Sequence, residues 1–201
     1  MIFGPVPTKQ AKGSILAHSI FCSGRRLRKG MKLEEANIEL LSASGVNEVT
    51  VAQLQDKDVH ENQAAAELAE ALVPDVKAAG LERTSAFTGR VNLVAAGPGV
   101  VAQQTDRLIA LNSIDPMITF ATVPNYQQMQ KGGLVGTVKI ISYAVDEEKL
   151  RSACAMGAAA IKLMPPRLKT ASLLVSQGAN RSDEKGISAI KSRLDALGVT
   201  L

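Results

Sequence analysis

Tryptophan is absent from this chain, and aromatic residues make up only 3% of its 201 residues. A platform for single-stranded nucleic acid needs aromatic faces on which bases stack, so that class of function is disfavoured. Cysteine is nearly missing as well. Cys22 and Cys154 are the only two, too few and too far apart for a disulfide framework or a zinc knuckle. The only histidines are His18 and His60, which leaves no basis for a Ser-His-Asp or Cys-His arrangement. No apolar run approaches the roughly 20 residues of a membrane-spanning helix. The opening MIFGPVPTKQ lacks the charged and apolar regions of a signal peptide. The expectation is a soluble, cytoplasmic protein with no membrane partner.

What is present is aliphatic. Hydrophobic residues form 46% of the chain, so the core must be built from Ala, Val, Leu and Ile. Small side chains of this kind suit packed helix–sheet layers, and the expected class is mixed α/β. The net charge is +4, with Arg25, Arg26, Arg28 and Lys29 clustered in one run. That run reads as a solvated basic hairpin, with a phosphate-bearing ligand or nonspecific nucleic acid as alternatives.

The most regular part of the chain is residues 13–51, GSILAHSIFCSGRRLRKGMKLEEANIELLSASGVNEVTV. It predicts a strand over 16–20, a turn at Lys29 and Gly30, and a helix over 33–44 with Glu34 and Glu35 in its first turn. Gly45 stands where a left-handed residue closes a helix, and VNEVTV alternates as a half-buried strand does. Further on, Asp58 is expected to cap a helix over 61–73. Strands are expected over 91–95, 100–102, 117–123 and 160–164, helices over 105–113 and 147–157, and one long strand over 134–145. Pro165 and Pro166 cannot sit inside a helix or a central strand, so they divide an N-terminal region, 1–166, from a segment over 167–201. In that segment the pattern predicts a strand over 168–177, a loop, a helix over 187–197 and a final strand start. Such a β–α–β run opens a parallel sheet, and the expectation is a domain that continues beyond Leu201.

Two places could carry chemistry. In AFTGRVNL, Thr88, Arg90 and Asn92 surround Gly89. The glycine would let the backbone approach an anion, and Arg90 offers a fork for phosphate or carboxylate. The alternative is an ordinary turn entering a strand. In the second place, Ser176, Gln177 and Gly178 follow a strand and precede a helix, where α/β folds bind ligands. Lys139, in the apolar run TVKII, is expected at a sheet edge, the alternative being a cleft. Asp58, His60 and Glu61 match no zinc spacing and read as helix-start residues.

The phrases GSILAHSI and GRRLRKGMKL…LLSASGVNEVTV resemble the molybdopterin molybdotransferases of molybdenum-cofactor biosynthesis. IFGPVP, FTGRVNL and TVKII are similar to a divergent subgroup that carries a nucleotidyltransferase-like domain further along the chain. The resemblance implies a molybdopterin ligand, with Mg²⁺ and molybdate as possible companions, and a homodimer. It also implies that residues 167–201 begin a parallel molybdopterin-binding domain. The alternative is a non-catalytic dimerisation or scaffold module that positions a downstream enzyme domain. Two features depart from the family: its acidic DGYA-type loop is absent, and Ser176-Gln177-Gly178 replaces a Thr-Gly-Asp loop. The second change leaves that loop without an acidic residue for metal-assisted chemistry.

Overall fold

The computed structural model describes residues 1–175 and 184–201. The chain is mixed α/β, and its described residues gather around two separate hydrophobic cores.

The first core belongs to an N-terminal lobe. Strand β1 (Ile2–Pro7) pairs antiparallel with β5 (Glu48–Gln53), and β5 pairs on its other side with β2 (Ile15–Leu16). Between them lie a hairpin, β3 (Ile20–Cys22) with β4 (Arg25–Leu27), and helix α1 (Glu35–Ala43). The lobe is held by Leu16, Leu27, Leu33, Ile38, Leu41, Val49 and Val51, packed with Ala11 and Cys22. Helix α1 starts at Glu34, whose backbone N–H donates to Asn37 Oδ1 at 2.9 Å, and ends before Gly45 at φ +76°.

The second core is larger, with 25 buried residues against 9 among the described residues. A two-residue-per-turn strand pattern and a helical one meet there. Helix α2 (Glu61–Leu72) presents Ala64, Ala65, Leu68, Ala69 and Leu72 to it. Below α2 lies an antiparallel sheet in the order β10 (Ile118–Thr122), β12 (Leu134–Ile140), β8 (Arg90–Ala95), β7 (Leu81–Arg83). Val91, Leu93, Ala95, Val138 and Ile140 alternate inward, while Arg90, Asn92, Thr137 and Lys139 occupy the other face. Helices α3 (Thr105–Asn112) and α4 (Glu147–Gly157) complete the cover. Gly157 allows their close approach, since a Cβ there would lie 2.6 Å from Leu111 Cδ1 and 3.2 Å from Leu72 Cδ2. A second sheet runs β11 (Gln128–Met129), β9 (Gly99–Gln103), β14 (Ile161–Met164), and a short pair joins β6 (Asp58–His60) to β13 (Ala144–Asp146). Helix α5 (Glu184–Ala196) follows and buries none of its side chains.

Several expectations change. The run over 134–145 is not one strand: it leaves the sheet after Ile140, and Ala144 restarts in a different sheet as β13. Apolar β-propensity is continuous across the break, so the sequence pattern has no mark for it. The cap of α2 is His60, whose Nδ1 accepts from the Asn62 N–H at 3.2 Å, and Asp58 lies upstream in β6. Lys139 sits on β12, a central strand and not an edge. The strand expected over 168–177 is represented, in its described part, by one parallel bridge between Thr170 and Thr200. Helix α5 begins at Glu184, three residues earlier than expected.

Candidate functional site

The lobe and the body face each other across a cleft of about 720 Å³. Its walls come from distant parts of the sequence. The lobe supplies Phe3 from β1 and Lys29 with Gly30 from the turn after β4. The body supplies Glu61 at the start of α2, Thr88 from the turn before β8, Lys139 from β12, and Tyr143 from the β12–β13 connection. Asp115 and Lys149 stand at the far side.

The lobe is pinned to the body beside this cleft. The Tyr143 hydroxyl donates to the Ala17 carbonyl at 3.0 Å, and the Phe3 and Tyr143 rings lie at 15° with centroids 6.4 Å apart. That spacing is within the range of an offset aromatic pair. Asp58 accepts from the Met1 ammonium at 2.5 Å and from the Gln55 N–H at 2.7 Å. Burial pushes its carboxyl up, but these contacts outweigh it and hold the pKa below the ordinary value.

Three lysines face the cleft, and they are not equivalent. Lys149 is committed to Asp115 at 2.6 Å. Asp115 also accepts from the Met117 N–H at 2.7 Å. Its burial opposes ionisation, yet the Lys149 and Met117 contacts prevail and lower its pKa. Lys29 and Lys139 form no ion pair among the described residues. The Lys139 ammonium instead donates to the Thr88 carbonyl. A cation satisfied by a neutral carbonyl keeps its charge available to an anion.

Glu61 is held tightly at its backbone and loosely at its carboxylate. Its N–H donates to the Tyr143 carbonyl at 2.9 Å. The neighbouring Asn62 Oδ1 accepts from the Gly89 N–H at 2.8 Å. Gly89 adopts φ +67°, and a Cβ there would lie 2.7 Å from the Ile140 carbonyl oxygen and 2.9 Å from Glu61 Oε2. Only glycine fits this turn. Burial pushes the Glu61 carboxyl up, with Lys139 and His60 offsetting part of the effect. The Tyr143 phenol is also raised, first by burial and then by the Glu61 charge.

The residues singled out from AFTGRVNL separate. Thr88 lines the cleft at φ +47°. Arg90 lies exposed on the same sheet face as Lys139, its register partner, but outside the cleft lining. Asn92 is occupied: its Oδ1 accepts from the Thr137 hydroxyl at 2.9 Å, and its N–H donates to Thr84 Oγ1 at 2.9 Å. Ser176, Gln177 and Gly178 lie outside the described residues. Sequence reasoning missed Glu61 as a cleft residue because helix-start acids ordinarily serve the helix dipole. A lysine inside an apolar strand was the usable signal, and it points to Lys139.

Among the described residues, no three His, Cys, Asp or Glu side chains converge as a metal site requires. Burial, and then the Glu67 charge, push the Cys154 thiol up to about 11, which disfavours the thiolate that nucleophilic chemistry needs. A second cavity, about 670 Å³ beside Pro165, Pro166 and Leu197, has Lys162 and Arg167 as its charged residues among the described ones. The first cleft is the candidate site.

Residues 5–53 match a family described as a domain of unknown function (DUF8806). The match runs from within β1 to the end of β5, the lobe alone. No curated protein matches the chain. Of the cleft residues, only Lys29 and Gly30 fall within the matched stretch. Among the described residues, no helix is long and apolar enough to cross a membrane.

Proposed function

We propose that this protein binds a phosphorylated pterin of the molybdopterin type in the lobe–body cleft and acts in cytoplasmic molybdenum-cofactor biosynthesis. The observation that carries the reading is the pair of uncommitted lysines, Lys29 from the lobe and Lys139 from the body, facing one cleft. Two cations without carboxylate partners suit a phosphate. The volume of about 720 Å³ is that of a small-molecule site. Phe3 and Tyr143 offer an apolar flank for a flat ring. The pterin itself, and the homodimer that goes with it, come from the sequence resemblance. Molybdate insertion would belong to a longer polypeptide of that family, and the role proposed for these residues is to bind and present the ligand.

A second reading is a scaffold that positions another domain. It is favoured by α5, which buries no side chain, and by the exposed Leu168 and Leu174. Calorimetric titration with 6-hydroxymethylpterin phosphate distinguishes the two. Saturable binding, weakened at least tenfold by Lys139→Ala, is the expected result. Absence of binding would leave the scaffold.

A further inference from the structure

The cleft has a second recognition element besides its cations. We propose that Glu61 selects a ring edge bearing two adjacent N–H donors, the cyclic guanidine edge of a 2-amino-4-oxopyrimidine. This inference rests on the phosphorylated-pterin reading above and adds the group that reads the ring.

A carboxylate carries two oxygens that accept hydrogen bonds and none that donate. Among the described residues, nothing donates to the Glu61 carboxylate. The nearest cation could have done so, but the Lys139 ammonium is turned to the Thr88 carbonyl. Glu61 is nonetheless half-buried and walls the cleft. Its oxygens keep contact with solvent, so the carboxylate stands open to donors that a ligand in the cleft would supply. Partial burial raises its pKa.

The backbone that carries the carboxylate is fixed. The Glu61 N–H is tied to the Tyr143 carbonyl at 2.9 Å, and the facing turn is tied through Gly89 N–H to Asn62 Oδ1 at 2.8 Å. The missing Cβ at Gly89 is what leaves room for Glu61 Oε2. A bidentate acceptor held in this way matches an N–H and an exocyclic NH₂ side by side. The cleft is then divided by charge: carboxylate for the donor edge, Lys29 and Lys139 for the phosphate.

Two probes isolate the claim: 6-hydroxymethylpterin phosphate and 6-hydroxymethyllumazine phosphate, in which the 2-amino group is replaced by a 2-oxo group and N1 gains a proton. The wild-type protein should bind the pterin at least tenfold more tightly, since the oxo group would set an acceptor against a carboxylate. Glu61→Gln should reduce that preference to below threefold, because an amide can donate to the oxo group. Equal binding of both probes by the wild type would overturn the role of Glu61 and leave the phosphate site standing. Retention of the preference in Glu61→Gln would do the same. Binding of neither probe would overturn the pterin reading and this inference together.

Discussion

The N-terminal lobe and the body divide recognition and chemistry unequally between them. The lobe carries the family match and most of the sequence resemblance, over a core of nine buried residues. The body carries Glu61, Thr88, Lys139 and Tyr143 on a core nearly three times as large. A regular run of turns and caps makes the lobe easy to recognise. The charges that give the cleft its character come mainly from the other side. The lobe contributes Lys29 and a stacked Phe3 across the opening, so it closes a site that the body builds.

The comparison predicts, first, that the two cores fail separately. Leu68→Ala in the body should cost about 3–4 kcal/mol, the range for a large buried aliphatic side chain, and lower protection from hydrogen exchange throughout residues 58–164. Leu41→Ala should loosen residues 11–51 while leaving α2 and β12 protected. Uniform loss of protection in both variants would show a single cooperative unit and remove the division.

Gly89→Ala tests the joint at the body's edge of the cleft. The left-handed backbone and the 2.7 Å approach to the Ile140 carbonyl predict a loss of about 2 kcal/mol in denaturant unfolding. A stability change within about 0.5 kcal/mol would mean that the turn relaxes freely.

Asp115 gives the smallest of these effects and a signature in acid. Its native pKa lies below the ordinary value of 3.8 because Lys149 and the Met117 N–H overcome burial. A depressed carboxyl contributes stability above its unfolded pKa and loses it as pH falls through its folded pKa. Asp115→Asn should therefore cost about 1–2 kcal/mol near neutrality and flatten the acid limb of the stability profile. An acid limb identical to that of the wild type would assign that loss to other carboxylates.

Local signals made much of this architecture legible. The apolar face of α2, the acid-rich start of α4 and the alternation in β5 and β8 each lie within a dozen residues, the range over which periodicity operates. The break between Ile140 and Ala144 was not legible, because IISYAV keeps its strand character while the chain changes sheets. His60 replaced Asp58 as the cap for a similarly local reason: both residues have acceptors, and only the pairing of β6 with β13 decides where the helix begins. The site was less legible than the fold. Lys29, Glu61 and Lys139 are widely separated in sequence, and it is the packing of the lobe beside the body that brings them to one opening. Glycine-flanked donors drew attention to Thr88, Arg90 and Asn92, but Arg90 stands exposed beside Lys139 without lining the cleft, and Asn92 is spent on Thr137 and Thr84.

The most direct test of the cleft is a paired substitution read by calorimetry with 6-hydroxymethylpterin phosphate. Lys139 and Arg90 are cross-strand neighbours on one face of the sheet, and of the two only Lys139 lines the cleft, so the variants differ mainly in whether the lost cation reaches it. Lys139→Ala should weaken binding at least tenfold, and Arg90→Ala should change it by less than threefold. Loss of binding in Arg90→Ala with full affinity in Lys139→Ala would contradict the account and move the ligand along the sheet, away from the cleft.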